Sequence, residues 1–330
     1  MRACIAAGLA AALLLFTLPL LTAAPSSPVL PEKEETEELS EDEKVTLRVW
    51  DGEQTQEMTV AEYLPGVVRG EMPASFEMEA LKAQAVAERT YIYYKMETGG
   101  KPAHPDADVC MSPKCCSAYT SREAAAERWG EKAQEYEARI QEAVQSTDGQ
   151  VMLYEDRPIF AAFHSSSDGV TAASGDVWMS DLPYLTSVAS PEGESSVPNY
   201  YSVKEIPAEE FQSTFLAACP EAEFSDDPAE WITDPVRNGS GRIETVTIGG
   251  VETEGTEVRS LFDLRSASFT AEADAEKVTF HVTGYGHGVG MSQYGANEMA
   301  RQGKTWREIL AWYYHGVTIG EYRPHTVQEP

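Results

Sequence analysis

Near Thr147 the hydrophobic pattern changes period, and this change narrows the folds open to the chain more than any other feature. Before it, apolar and small residues recur at helical spacing. Val60, Leu64, Val67 and Val68 share one face, Ala80, Gln84, Ala87 and Tyr91 share another, and 124–144 is a further helix-like stretch rich in Ala and Glu. After it, residues alternate: Val151 and Leu153 lead into a turn at Glu155–Pro158 and a second strand over 159–163, and 242–248 and 278–282 alternate in the same way. Together these predict an α+β fold of mixed helices and antiparallel strands. The polar, proline-containing stretch from Ser190 to about Thr233 carries no clear period.

The amino terminus adds a second constraint. Residues 3–24 are uncharged and long enough, at about 1.5 Å per residue, to cross a bilayer core of roughly 30 Å. Arg2 precedes them and an acidic tract from Glu32 to Lys44 follows, which orients the start of the chain inward and the body outward. The rival reading is a signal peptide cut near Ala23 or Ala24; Leu21 and Pro25 make poor surroundings for that cut, so an uncleaved transmembrane helix over 1–24 is favoured. Residues 25–46 then read as an acidic, disordered linker, and either way the body works outside the cytoplasm. The net charge of -29 disfavours nucleic acid as a partner.

The chemistry of the chain centres on Glu71. Thr59 and Glu62 have capping-box spacing, so a helix begins near Val60 and is kinked or re-started at Pro65. Glu71 shares the apolar face, where burial raises a carboxyl pKa. Pro73 suggests the opposite influence, by placing Glu71 near the N-terminus of the next helix. A partly exposed helix-capping glutamate would fit the same residues. Farther along, His104, Cys110, Cys115 and Cys116 fall in one proline-broken loop; zinc binding and a Cys110–Cys116 disulfide are nearly even on spacing alone. Cys4 lies in the apolar segment and Cys219 reads as a buried thiol. His164 precedes a serine cluster, Ser165–Ser167, that lacks a nucleophile elbow. The glycine-alternating run Gly284–Ala296, with His287 and Tyr294, is no dinucleotide fingerprint, and a loop of that kind suits close approach of a flat sugar chain.

The block from Tyr63 to Pro73 with Phe76–Tyr91, and the run Gly284–Ala296, resemble the signature motifs of the stage II sporulation protein D family. These are membrane-tethered lytic transglycosylases that cut peptidoglycan glycan strands, and the similarity runs with gaps over about 47–322, leaving 323–330 as a tail. The resemblance implies that Glu71 is the general acid and that Gln84, Arg89, Ser166, His287 and Tyr294 contact glycan. For Gln84 and Arg89 structural hydrogen bonds serve equally well, and for His287 so does ordering of its loop. Asp168 stands where the family's serine-rich loop usually has the first of two glycines.

Some members carry zinc on a His, a Cys, a second His and a Cys in the same loop. Here Cys115 takes the place of the second His, which implies one structural zinc held by His104, Cys110, Cys115 and Cys116. The implied substrate is peptide-free strands, cut between N-acetylmuramic acid and N-acetylglucosamine with formation of 1,6-anhydromuramic acid. Arg69, Lys82 and Arg89 are candidates, by proximity to Glu71, for meeting the lactyl carboxylates of such strands. The implied setting is septal wall remodelling and engulfment in endospore formation, at the mother-cell membrane, with the sporulation amidase (stage II sporulation protein P) and a membrane scaffold (stage II sporulation protein M) as partners. A non-catalytic, glycan-binding enhancer of a cell-wall amidase is the alternative, and a zinc hydrolase at His104 and the cysteines is a third.

Overall fold

The computed structural model describes residues 39–99, 104 and 106–324, and from Ser40 onward the chain forms one compact unit. The expected anchor over 1–24 and most of the expected linker lie outside the described residues. Among the described residues, no helix is long and apolar enough to cross a membrane. The α+β expectation holds, in two hydrophobic cores.

The first core begins with the antiparallel pair β1 (Thr46–Trp50) and β2 (Thr55–Thr59). The Thr59–Glu62 capping box then starts α1 (Val60–Glu71), as expected from the sequence. α1 continues through Pro65 without re-starting, because one proline removes one intrahelical bond and the buried apolar face outweighs it. The long α2 (Met78–Thr98) is buried on nearly every side, and its Ala80, Ala83, Ala85 and Ala87 let neighbouring helices approach closely. β3 (Val109–Cys110) runs parallel beside β1.

The single helix expected over 124–144 is two, α3 (Arg122–Trp129) and α4 (Ala133–Gln145). They are separated by a 3₁₀ turn at Gly130–Lys132, where Gly130 adopts φ +57°. The expected hairpin forms from β4 (Gln150–Tyr154) and β5 (Arg157–Pro158), and Glu155 and Asp156 take the positive φ values of a tight hairpin turn. Its second strand is two residues long and falls within the expected turn, while 159–162, expected as strand, is irregular. Only β6 (Phe163–His164) resumes pairing, parallel to a strand from the far end of the chain.

The stretch that the sequence left open opens a second core. It carries β7 (Tyr201–Pro207) and α5 (Ala208–Ala218), followed by β8 (Ile232–Arg237), β9 (Ile243–Ile248), β10 (Val251–Glu254), α6 (Gly255–Leu261), β11 (Phe269–Ala273) and β12 (Lys277–Thr283). Two antiparallel sheets, ordered β11-β12-β7 and β10-β9-β8, enclose an aromatic cluster in which Phe211 stacks on Phe262 at 4.6 Å. The chain then returns to the first core through β13 (Met291–Ser292), α7 (Gln293–Arg301), α8 (Trp306–Tyr313) with its expected Thr305–Glu308 capping box, and β14 (Thr318–Glu321), which pairs with β4.

One ion pair ties the start of the body to this core. Arg89 on α2 is fully buried and grips both Asp42 carboxylate oxygens at 2.7 Å, with further bonds to the carbonyls of Val144 and Gln150. Asp42 is 2% exposed, so the folded body starts earlier than Leu47 and the expected linker over 25–46 ends before it. Removing one partner of a buried pair strands the other charge, at a cost of about 3–5 kcal/mol. Asp42→Ala is therefore expected to lower the denaturant midpoint severely; an unchanged midpoint would show that Arg89 finds equivalent partners.

Candidate active site

Glu71 owes its position to two glycines one helical turn apart. A Cβ at Gly70 would lie 2.1 Å from the Ala118 carbonyl oxygen, and one at Gly66 would lie 2.0 Å from the Tyr119 ring. Only glycine lets the 117–120 segment rest against α1, where Thr120 N–H donates to Gly66 O at 3.0 Å. The same approach brings the Ala118 N–H onto Glu71 Oε1. From the other side Gln293, at the start of α7, donates its Nε2–H to Glu71 O at 3.0 Å.

Glu71 is thus the last residue of α1, and α2 starts only at Met78. The expected placement at a helix N-terminus is corrected: Glu71 sits at the negative end of a helix dipole, which disfavours the carboxylate. Burial raises its pKa above the ordinary glutamate value, and the Ala118 N–H opposes part of that rise.

A second carboxyl stands behind the first. Glu88 on α2 is fully buried, accepting from Ser117 Oγ at 2.8 Å and from Gln84 Nε2 at 3.2 Å. Burial, reinforced by the nearby Glu71 charge, pushes Glu88 up to about 8, so it is held neutral at pH 7. Sequence reasoning missed it. The available signal was its spacing: Gln84 and Glu88 are four residues apart on a helix whose other positions are largely small or apolar.

Glu71 opens onto a cleft of about 860 Å³. Its walls include Tyr91, Phe160, Trp178 and Tyr285, together with the backbone of 161–165 and 285–287. Gly290 permits one wall, since a Cβ there would lie 2.0 Å from Ala162 O and its φ is +72°. Two imidazoles, His164 and His287, lie side by side with ring centroids 5.8 Å apart. Burial drives both down, His287 to about 4 and His164 well below its ordinary value, so both are neutral at pH 7. The Val289 N–H donates to His287 Nδ1 at 3.1 Å, which orders the loop as well as presenting the ring.

The remaining expected contacts divide. Gln84 and Arg89 are both 0% exposed and belong to the core, committed to Glu88 and to Asp42 respectively. Ser166 is buried, its backbone paired with Tyr285, while Ser165 lines the cleft. Its neighbour Ser167 helps bind Glu192, a buried carboxylate that also accepts from Ser190 and Ser292 at 2.5 Å and so fastens the serine loop to the glycine-rich run. Tyr294 packs edge-on against Phe76 at 4.9 Å instead of lining the cleft. The expected cations are also spent elsewhere: Arg69 on Glu137 at 2.8 Å, Lys82 on Glu79 at 2.9 Å, and Arg89 on Asp42. The basic side chains that do line the cleft are Lys114 and Arg259.

In the adjoining loop His104, Cys110 and Cys115 bring their ligand atoms within 4.8 Å of one another, and Trp50 stacks on His104 at 5.3 Å. Cys116 is not in this group. Its sulfur nonetheless stays beside Cys110, whose N–H it accepts at 3.4 Å. The four described cysteines are free thiols in this structure. Cys219 is half-buried.

Residues 51–154, which carry Glu71, Glu88 and the cysteine loop, match the family model described as stage II sporulation protein. The chain is 36% identical over 267 residues to stage II sporulation protein D of Bacillus subtilis (strain 168), covering 81% of this chain and 76% of that one. Its likeness to the Bacillus amyloliquefaciens protein of the same name is also 36%, over 266 residues. A weaker match, 27% over 308 residues, is to the amidase enhancer of Bacillus subtilis, of which it covers 40%.

The state of Glu88 can be tested through stability. A carboxyl with a raised pKa in the folded state makes the fold lose stability as pH rises from the unfolded value, about 4.5, to the folded one, about 8. Glu88→Gln mimics the neutral acid, so it should match the native protein near pH 4.5 and exceed it increasingly up to about pH 8. A constant stability difference across that window, measured by chemical denaturation, would mean that Glu88 is not held protonated.

Proposed function

The chain belongs to the stage II sporulation protein D family, which supports a sporulation role at the cell wall, and within that role we propose that it is a peptidoglycan lytic transglycosylase. One observation carries this reading: among the described residues, Glu71 is the one carboxyl lining the cleft, and its environment favours the protonated acid. Glu88 is enclosed behind it and does not reach the cleft, so it is not placed to activate a water. Glycosidases that use water generally need two carboxyl groups across the bond. A muramic-acid strand supplies its own nucleophile, the O6 hydroxyl, already tethered to the reacting sugar.

The steps then follow from one group. Protonated Glu71 gives its proton to the glycosidic oxygen as the bond from the anomeric carbon breaks. The resulting carboxylate, steadied by the Ala118 N–H, takes the O6 proton as O6 closes on that carbon, which forms the 1,6-anhydro ring and restores the acid. The aromatic walls suit sugar-ring faces. The substrate would be strands freed of stem peptides, the partners an amidase and a membrane scaffold of the same process, and the location the outer face of the mother-cell membrane with residues 1–24 as anchor.

His104, Cys110 and Cys115 would hold a zinc ion, since two thiols and an imidazole are donors that zinc prefers. Bound there, zinc would cross-link the loop that carries Ser117 and Ala118 to the two carboxyls. Cys110→Ser is expected to lower both zinc content, from about one per chain, and melting temperature. Full stability in the metal-free native protein would rule that role out.

Glu71→Gln keeps the shape and removes the transferable proton, so turnover on peptide-free strands should fall by about 10²–10⁴ while strand binding persists. In the native protein kcat/KM should decline as pH rises through the raised Glu71 pKa. Mass spectrometry should find products ending in 1,6-anhydromuramic acid, one water lighter than hydrolysed ends. Reducing ends would contradict the mechanism, and glycan release that requires an added amidase would favour the enhancer role suggested by the weaker relative.

A further inference from the structure

Arg259 is an unusual cation for this chain. The molecule carries a net charge of -29, and its buried arginines are matched: Arg69 by Glu137, Arg89 by Asp42, and Arg242 by Asp168 at 2.9 Å. Of the half-buried ones, Arg139 bonds to the carbonyls of Ala74 and Phe76, and Arg265 lies over the Tyr285 ring at 4.1 Å. Arg259 lies on α6, half-buried in the cleft wall, and among the described residues it makes no ion pair and no side-chain hydrogen bond. Its Nε is buried without a partner. Lys114, also at the cleft and exposed, is likewise outside every ion pair among the described residues. A cation removed from water and left unpaired is costly, and such sites persist where a ligand supplies the missing charge.

An independent observation lies in the same wall. His164 is 4% exposed, and its Nδ1 is bonded to Val289 O at 3.2 Å, so Nδ1 carries the proton and Nε2 is left as an acceptor. That Nε2 is buried at the cleft with no partner. Arg259 is close enough to both imidazoles for its charge to help keep them neutral. Trp178 and Tyr285 flank this corner, with Trp178 5.2 Å from the His287 ring. Guanidinium fork, imidazole acceptor and aromatic faces therefore meet in one place.

We propose that this corner is a subsite for a carboxylate-bearing N-acetylated sugar, in which Arg259 grips the carboxylate and His164 Nε2 accepts from an N–H or O–H of the same ring. The inference rests on the glycan reading above and adds what selects the substrate: the free lactyl carboxylate of muramic acid, which a stem peptide converts to an uncharged amide. Arg259 then acts as the specificity residue, because its planar fork matches a carboxylate and gains nothing comparable from an amide. The charge enters only with the ligand.

The test measures binding by calorimetry to the protein carrying Glu71→Gln, which cannot turn over. The probes are a tetrasaccharide of alternating N-acetylglucosamine and N-acetylmuramic acid, the same tetrasaccharide with its lactyl carboxyls converted to amides, and tetra-N-acetylchitotetraose. The free acid should bind about ten- to a hundredfold more tightly than either neutral sugar, the span expected of charge-assisted bonds. Adding Arg259→Gln should erase that preference while leaving the weaker binding of the neutral sugars in place. Arg259→Lys, which keeps the charge without the fork, should retain part of it. Melting temperature supplies a readout that a structural arginine would move the other way: losing an unpaired, half-buried cation should leave it unchanged or raise it. Equal binding of acid and amide by the protein with Arg259 intact, or a preference that survives Arg259→Gln, overturns the subsite and leaves the glycan reading standing. Failure of all three sugars to bind overturns the glycan reading and the subsite with it.

Discussion

The close approach of the 117–120 segment to the last turns of α1 is the constraint on which the site depends. It exists because Gly66 and Gly70 present no Cβ to Tyr119 and Ala118. Through it one backbone N–H reaches Glu71, one hydroxyl from Ser117 reaches Glu88, and Glu71 is shut away from water on the side facing the core. The burial that follows is what makes a glutamate available as an acid. The His104–Cys115 loop immediately precedes this segment, so anything that orders that loop also fixes the geometry of both carboxyls.

The two cores serve this arrangement differently. The helical core, with α2 at its centre, supplies the acid, its buried neighbour and the pin between Arg89 and Asp42. The aromatic core formed by 201–283 supplies Arg259 from α6. The glycine-rich run after β12 then joins them, with Glu192 holding three serine hydroxyls between the serine loop and Ser292. The cleft lies where these pieces converge. That explains why its walls come from segments far apart in sequence, near 71, 114, 160, 178, 259 and 286.

Much of the local structure was legible from the residues. Capping boxes at Thr59 and Thr305, the hairpin turn at Glu155 and the alternation of β9 and β12 all depend on interactions within a few residues, and all appear as expected. Glu71 was legible because an acid at the end of an apolar stripe is anomalous. Its helix-end placement was misread, because Pro73 opens a loop and not a helix. The fates of Gln84, Arg89, Ser166 and Tyr294 were hidden, since a polar side chain in a motif looks alike whether its partner is a ligand or a distant residue. Asp42 is 47 positions from Arg89, and no local pattern announces that pair. Cys116 illustrates the same limit at short range, where of two adjacent thiols only Cys115 joins His104 and Cys110 within 4.8 Å. Glu88 and Arg259 were missed because their meaning lies in what surrounds them, a fully buried acid and an unpaired base.

The central claim is that the fold turns Glu71 into a weak acid by burying it against Ala118, with Glu88 held protonated behind it. The most direct measurement is a carbon-13 NMR titration of the glutamate side-chain carboxyls in the intact protein, assigned with Glu71→Gln and Glu88→Gln. Glu71 should titrate above the ordinary glutamate value, and Glu88 only later, near about 8, after Glu71 has become charged. A Glu71 that titrates at or below the ordinary value would contradict the account, because burial would then not be what favours its protonated form.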